Sequence, residues 1–478
     1  MSIGEGYMSN YEFSIIMAVY NVDKYIEEAL ESIIKQSFDF SKVQIILVND
    51  GSTDKSGALC QFYKDRYPEN IVYIEKENEG TSSARNAGIE VATGRYLNFM
   101  DPDDLLERNA LEEVSKFFSE NEGLKIITIP LQHFGLKSNR HSLNYKFDKK
   151  RIANVHREFN DIVLTMSASF VDRDILGDER FTEGKIIGED NQLLTKLIMR
   201  AENFGLLPDA KYLYRRRSDS AIYSNKLKED YYFRLCQDYL DTLKIYAREN
   251  NGEIPKYVQS LVMYEISWKI RQKELPEVVL CRREEYDALI LEILRLIDAD
   301  IINSAKPLNR FQKHAAHSWK DTGVLPKVGG NFYTELKDEK GKLLLVDSRG
   351  KTLRRFTKSK IRVDSIGSSQ GDFYIGGRYS QLFSHKGMKA ILKTQKGKKV
   401  KARKFELKEK RVYFLGYEIF EPLGLEFRLK SRHLKSSDWF VVELSSKGAK
   451  VSVTLISDDP NLIALGKNAY FYQKECST

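Results

Sequence analysis

The apolar and polar positions of the first hundred residues fall into blocks of two kinds. Phe13 to Tyr20 is a nearly continuous apolar run ending at Asn21, the pattern of a strand buried on both faces of a parallel sheet. Tyr25 to Gln36 instead sets Ile26, Ala29, Leu30, Ile33 and Ile34 on one helical face. Val43 to Val48 predicts a second buried strand, closed by the polar turn Asn49-Asp50-Gly51-Ser52-Thr53-Asp54. A helix through Leu59, Cys60, Phe62 and Tyr63 follows, then a strand at Ile71 to Ile74. Next come Asn78-Glu79-Gly80, the loop Thr81-Ser82-Ser83, a helix through Ala84 to Gly88, and a strand from Tyr96 to Met100. Strands alternating with helices predict a parallel sheet covered on both faces. Ligands of such sheets bind beyond the carboxyl ends of the strands, where Ala18 to Asn21, Asn49-Asp50, Asn78 and Asp101 to Asp104 converge.

Further along, the period changes twice. From about Asn225 to Ala305 the spacing is helical, over Tyr231 to Ala247, Val258 to Lys273 and Glu284 to Ile302. Lys306 to Gly330, with Pro307, Pro326 and Gly329-Gly330, reads as a linker or irregular crossing. From Asn331 short strands separated by turns such as Ser348-Arg349-Gly350 and Gln395-Lys396-Gly397 predict an antiparallel β-sandwich-like module. The expected organisation is residues 1–224, 225–330 and 331–478.

Charge divides the chain near the same boundary. Met1 to Ala305 carries 40 Lys and Arg against 51 Asp and Glu, whereas Lys306 to Thr478 carries 36 against 17. A module this basic attracts polyanions: an anionic growing polymer, the anionic inner face of a membrane, or, ranked last for want of a recognisable module, nucleic acid. Lysines that merely blunt exposed sheet edges are the bland alternative. The densest stretch runs from Lys389 to Arg411 and includes Lys408 and Lys410. The four cysteines, Cys60, Cys236, Cys281 and Cys476, have no paired or metal-binding spacing, which suits a reducing cytoplasm. Met1 to Ser9 lacks the pattern of a secretion signal, and no run is long and apolar enough to span a membrane.

The candidate chemistry concentrates in Asp101-Pro102-Asp103-Asp104, three carboxylates in four residues at a strand end. Such a cluster suits a hard divalent ion shared with a substrate diphosphate. One of Asp103 and Asp104 is also expected to cap a helix beginning near Leu105. A second acidic pair, Glu189-Asp190, precedes an expected helix from Gln192 to Met199. Adjacent carboxylates raise each other's proton affinity, so one can serve as a base near neutral pH. Arg215 and Arg217 are read as flanking a turn after Leu213-Tyr214. Ser167 to Ser169 either face an acceptor or pack tightly, and Tyr20 either packs on a ligand or belongs to the core.

Met17-Ala18-Val19-Tyr20-Asn21, Val48-Asn49-Asp50-Gly51-Ser52-Thr53-Asp54, Asn78-Glu79-Gly80, Ser83-Ala84-Arg85-Asn86-Ala87-Gly88 and Asp101-Pro102-Asp103-Asp104 occur in the order and spacing of family 2 glycosyltransferases. Gly188-Glu189-Asp190-Asn191 and Tyr214-Arg215-Arg216-Arg217 extend the match. The chain resembles these inverting enzymes of the GT-A fold, an α/β nucleotide-sugar-binding domain. Its architecture is similar to that of bacterial teichoic acid and capsule transferases with an appended β-rich module. The resemblance implies a UDP-sugar donor and a Mn2+ or Mg2+ ion. It places Asp50 on the uracil N3 proton, with Ala18, Tyr20, Asn21 and Asn78 beside the nucleotide, Arg85 on phosphate or base, and Asp101 on the ribose. It puts the metal on Asp103, with Asp104 left open as the alternative, makes Asp190 the base with Glu189 orienting the acceptor, and gives Arg215 or Arg217 the diphosphate. The expected acceptor is an anionic glycan or teichoic-acid-like polymer, handled in the cytoplasm with peripheral contact to the inner membrane face, and self-association is compatible with the sequence. The absence of a Gln-x-x-Arg-Trp string argues against processive synthases. Two alternatives are the sugar-adding part of a longer bifunctional polymer synthase, and a non-catalytic GT-A scaffold carrying a polyanion-binding module.

Overall fold

The computed structural model describes residues 11–136, 138–185, 188–217 and 228–325, and beyond them 334–339, 342–346, 352–356, 358–369, 372–379, 389–406, 411–420, 423–430, 439–446, 449–456, 462–465 and 469–472. Ile186-Ile187, the boundaries expected at 224/225 and 330/331, Ser348-Arg349-Gly350, Lys408, Lys410 and Cys476 lie outside them. The chain divides into two compact units, Met1–Ile266 with Pro276–Ala305, and Ser267–Leu275 with Lys306–Thr478.

The first unit opens with β1 (Phe13–Val19), α1 (Ile26–Ile34), β2 (Val43–Asp50), α2 (Ser56–Arg66), β3 (Ile71–Lys76), α3 (Thr81–Val91) and β4 (Tyr96–Phe99). It continues with β5 (Leu105–Leu106), α4 (Ala110–Glu120), β6 (Ile126–Thr128), β7 (Leu131–Gly135), β8 (Arg151–Asn154), β9 (Ser169–Asp172), α5 (Arg173–Leu176), α6 (Glu189–Ala201), β10 (Asn203–Leu206), β11 (Tyr212–Arg216) and α7 (Arg234–Glu249). The main sheet runs β3-β2-β1-β4-β9-β6-β10-β8, and β5-β11-β7 forms a small second sheet. Strands β3, β2, β1 and β4 are parallel and β9 runs against β4. Every residue of β2 is buried, as expected of a strand covered on both faces.

Register sets the position of the site. Val19 lies opposite Asn49, and Asp50 opposite Lys76, so these carboxyl ends are level. Phe99, the last residue of β4, lies opposite Ile16, so residues 100–104 cross the same edge as a loop. The helix α3 packs closely on this sheet because Gly88 faces it: an added Cβ would lie 2.5 Å from Cγ2 of Ile16. Gly88→Ala is therefore expected to destabilise the first unit by about 1–3 kcal/mol, read as a lowered denaturation midpoint.

Several expectations change in the folded chain. Asn49 and Asp50 belong to β2 itself and not to a turn, because Asp50 still pairs with Lys76. Thr81, Ser82 and Ser83 form the first turn of α3 and not a loop. Leu105–Leu106 is a short strand paired with β11, so neither Asp103 nor Asp104 caps a helix there, and the next helix starts at Ala110. Arg215 lies within β11, paired with Phe134 of β7, and Arg217 just follows it, so the two do not flank a turn. Glu189 and Asp190 form the first turn of α6. Carbonyls of Ser167 and Ser169 accept from Asn98 Nδ2 at 2.8 and 2.9 Å, the packing role of the two open for that segment.

In the second unit, part of the segment expected to be a linker is a helix, Arg310–Thr322, with a capping box between Asn309 and Gln312. Its Trp319 packs edge-on against Phe414, with ring centroids 5.8 Å apart. Beyond it stand a three-stranded sheet, a two-stranded hairpin and a ten-stranded sheet. Pairing is antiparallel except between Lys358–Ser369 and Ala449–Ile456, which are parallel. The strands Lys399–Lys401 and Arg403–Glu406 lie at opposite ends of the main path through the ten-stranded sheet, yet only Ala402 separates them. That sheet must therefore curl until its ends meet. Among the described residues no helix is long and apolar enough to cross a membrane.

Candidate active site

The strand ends of β1 and β2 are stitched together by short polar side chains. Asn21, in the left-handed region with φ 52°, accepts the Thr53 N–H at 2.8 Å, and its own N–H donates to Ser52 Oγ at 3.1 Å. Tyr20 is 49% exposed and so lies open beside this edge, not in the core, and Ala18 is half-buried. Asp50 is buried and accepts the backbone N–H groups of Glu79 at 3.1 Å and Gly80 at 2.8 Å, with Lys76 Nζ at 3.1 Å. Exposed Asn78 rides over Gly51, where φ is 71° and a Cβ would meet the Asn78 nitrogen at 2.9 Å. Helix α3 starts at this point, and its Ser82 Oγ is buried without a hydrogen-bond partner.

The aspartates after β4 separate into two roles. Asp104 is buried, accepting Tyr212 Oη–H at 2.8 Å on one oxygen and the Arg215 N–H at 2.7 Å on the other. Burial, reinforced by Asp101 and Asp103, pushes its carboxyl well above the usual range. It fastens the loop to β11. Asp103 is less buried, and its carboxylate meets Arg217 Nε at 2.9 Å. Arg215 donates to the Asp103 carbonyl at 2.7 Å and to Glu28 at 2.7 Å, and stacks over Phe134 and Tyr25 at 4.5 and 5.3 Å. Both arginines expected on a diphosphate are thus engaged within the loop framework.

Asp101 belongs to a third group, organised by Arg85. This arginine is only 4% exposed, and one face lies over the Phe181 ring at 5.2 Å. Its guanidinium reaches Asp190 at 2.5 Å, Asp101 at 2.9 Å and Glu189 at 3.3 Å. The neighbouring Asn86 holds the Phe181 backbone from both sides, accepting its N–H at 2.9 Å and donating to its carbonyl at 3.0 Å. Adjacent residues of α3 thus anchor both the acidic pair and the approach to it. Burial raises Asp101 to about 7, opposed by Arg85 and reinforced by Asp103 and Asp190. Burial and the neighbouring Asp190 raise Glu189, with Arg85 opposing. The helix bearing the pair begins at Gly188, whose φ is 90°.

Arg85, expected on phosphate or base, is therefore directed at carboxylates, whereas Asp101, Glu189 and Asp190 are brought together as one cluster. Phe181, Asn86, Tyr212 and Lys76 were not singled out by sequence. Asn86 adjoins Arg85 in the same helical motif, which is the signal that could have found it. Among the described residues no group of three or more His, Cys, Asp or Glu side chains is arranged to hold a metal unaided. Asp101 and Asp103 nevertheless fit a divalent ion that takes its remaining oxygens from a ligand. Burial is the main cause of the raised Asp101 and Asp103 adds to it, a burden that a cation relieves.

Comparison with known proteins supplies relatives. The family described as glycosyl transferase family 2 matches residues 14–178. The minor teichoic acid biosynthesis protein GgaB of Bacillus subtilis (strain 168) is 33% identical over 455 residues, covering 93% of this chain and 49% of its own length. The chain thus spans about half the length of that relative. The crystal structure of S. aureus TarS superposes with a TM-score of 0.55 at 15% identity, over 96% of this chain and 85% of that one. A shorter TarS chain in complex with UDP-GlcNAc gives 0.50 at 18% identity, over 71% and 98%. Together these show a GT-A α/β domain, with the helical and β-rich parts following it.

Proposed function

We propose, from the match of residues 14–178 to glycosyl transferase family 2, that the chain moves a sugar from a UDP-sugar to an anionic bacterial surface polymer of teichoic acid or capsular type, with inversion at the anomeric carbon and dependence on a divalent ion. The observation that carries this reading is the Arg85 cluster. One buried cation joins Asp101, on the donor side, to Glu189 and Asp190, the expected acceptor-activating pair. The name of GgaB supports a teichoic acid acceptor, and the UDP-GlcNAc held by TarS supports a UDP-sugar donor.

In this reading Asp50, fixed by two backbone N–H groups and Lys76, keeps acceptor oxygens at the nucleobase end of the edge. Ala18 and Asn21 border the same end, as does Asn78, and exposed Tyr20 covers the base. The amino end of α3, with Ser82 Oγ, adds favourable potential for phosphate oxygens. Asp103, with Asp101, would hold a Mn2+ or Mg2+ ion, and Asp104 serves the framework, joining the loop to Tyr212 and Arg215. Such an ion, when bound, neutralises charge on the leaving diphosphate. Asp190 takes the proton from the acceptor hydroxyl as its oxygen bonds to the anomeric carbon and the bond from that carbon to the diphosphate oxygen breaks. Glu189 orients the hydroxyl, and Arg85 fixes both carboxylates. Arg215 and Arg217 keep the Asp103 loop in place and border the diphosphate.

The test is calorimetric titration of nucleotides and nucleotide sugars with and without manganese. Manganese-dependent binding of UDP and of a UDP-sugar is expected. If none of the panel binds, the catalytic reading gives way to a non-catalytic scaffold. The aspartates give a sharper check. Asp103→Ala should weaken manganese-dependent UDP binding about tenfold or more with little change in thermal stability. Asp104→Ala should instead cost about 1–3 kcal/mol of stability, since it strands a buried hydroxyl and a buried N–H. If the two variants exchange phenotypes, the metal role passes to Asp104. The 49% coverage of GgaB favours one second reading, that this stretch is the sugar-adding part of a longer polymer synthase.

A further inference from the structure

The curled sheet of the second unit carries an organised cationic face. Along strand Lys389–Thr394, Ala390, Leu392 and Thr394 are buried, so Lys389, Ile391 and Lys393 face outward. The neighbouring strand Lys399–Lys401 sets Lys399 opposite Lys393 and Lys401 opposite Ile391, and opposite residues share a face. Lys389, Lys393, Lys399 and Lys401 thus occupy two rows about 4.8 Å apart, with same-face steps of about 6.8 Å along each strand. The connecting turn adds exposed Lys396 and Lys398, and the chain beyond Ala402 adds exposed Arg403. On the far side Glu443 answers Lys393 at 2.8 Å.

Edge protection does not account for this pattern. Lysine guards open sheet edges, but Lys389 and Lys393 sit on an interior strand, flanked by Lys399–Lys401 and Trp439–Ser446. The end strand that carries Lys399 and Lys401 is also where the curled sheet meets itself. Like charges set directly opposite one another, as Lys393 and Lys399 are, are unfavourable, and of the two it is Lys393 that Glu443 reaches.

We propose that this face is the docking surface for the anionic acceptor polymer, gripping successive phosphodiester groups while the polymer's end is modified elsewhere. The proposal rests on the transferase reading above. Charge complementarity argues for this occupant. Residues 306–478 carry 36 basic against 17 acidic side chains, whereas residues 1–305, with 40 against 51, repel a polyanion. A surface of repeated cations holds a polymer by many weak contacts, and its grip falls with ionic strength.

The experiment compares the full chain with the charge-reversed variant Lys389→Glu/Lys399→Glu/Lys401→Glu and with the milder Lys399→Gln/Lys401→Gln. The probes are a long polyol-phosphate polymer and a one-repeat acceptor of the same chemistry. Polymer affinity should fall about tenfold or more in the reversed variant and by a smaller factor in the neutralised one, with a shallower salt dependence in both. The ratio of kcat/KM for polymer to that for the short acceptor should fall in parallel. Unchanged polymer affinity in both variants, with their unfolding midpoints intact, overturns the proposal. So does a loss of binding to phosphatidylglycerol vesicles with polymer affinity kept, which would make the face a membrane contact. Failure of the wild-type chain to bind any UDP-sugar would instead overturn the transferase reading, leaving polymer affinity as a separate measurement.

Discussion

Asp190→Asn is expected to reduce kcat by about a hundred- to ten-thousandfold, the range over which a positioned general base acts, while UDP-sugar affinity stays within a small factor of the wild type. The amide keeps the size of the carboxylate but has no oxygen basic enough to take the acceptor proton. Donor affinity should survive because in the proposed reading the substitution falls on the acceptor side, where Asp190 pairs with Arg85 at the start of α6. Arg85 also retains Asp101 and Glu189, so the fold around it keeps two of its three anchors. Single-turnover kinetics with saturating UDP-sugar would read the chemical step directly. Near-normal turnover would exclude Asp190 as base and transfer the role to Glu189, whose proton affinity is already raised.

Arg85 offers the second large effect, and there stability and catalysis have to be separated. Arg85→Ala removes the cation from three carboxylates in a partly buried cluster, which should cost about 3–5 kcal/mol of stability. Arg85→Lys keeps the charge, but an ammonium lacks the planar fork that spans several carboxylates at once. The lysine variant should therefore fold, bind UDP-sugar, and turn over about a hundredfold more slowly. Its acid limb in the pH profile of kcat should move upward. Carboxylates deprived of a well-placed cation hold protons to higher pH, so the base is disarmed over a wider acid range. A lysine variant with normal kcat and an unshifted profile would reduce Arg85 to a packing element above Phe181.

The parts of the structure legible in the sequence are those governed by burial on both sides. Strands β1 and β2 were visible as apolar runs because nothing polar interrupts Ile15 to Val19 or Ile45 to Val48. Element ends were less legible, since Asp50 looks like turn chemistry until its pairing with Lys76 is known. The helix at Arg310–Thr322 was hidden behind Pro307 and the glycines near 329, although Asn309 and Gln312 stood at capping-box spacing and Gly323 at the stop. Within the site, sequence gathered the acidic residues but could not sort them. Asp103 and Asp104 are alike in a string of letters. Only the approach of Tyr212, more than a hundred residues away, makes one a strut. The partners of Arg85 were hidden for the same reason: an arginine near small residues suggests phosphate, and the carboxylates at 101, 189 and 190 lie outside any local window.

The left-handed glycine ahead of α6 has a positional consequence. A Cβ at Gly188 would sit 2.9 Å from Leu235 Cδ1, so α7 packs directly against the residue that precedes Glu189 and Asp190. With φ at 90°, a side chain there is both strained and crowded, and the start of α6 can accept one only by backing away from α7. The aim of the acidic pair is thus borrowed from a helix that follows much later in the chain.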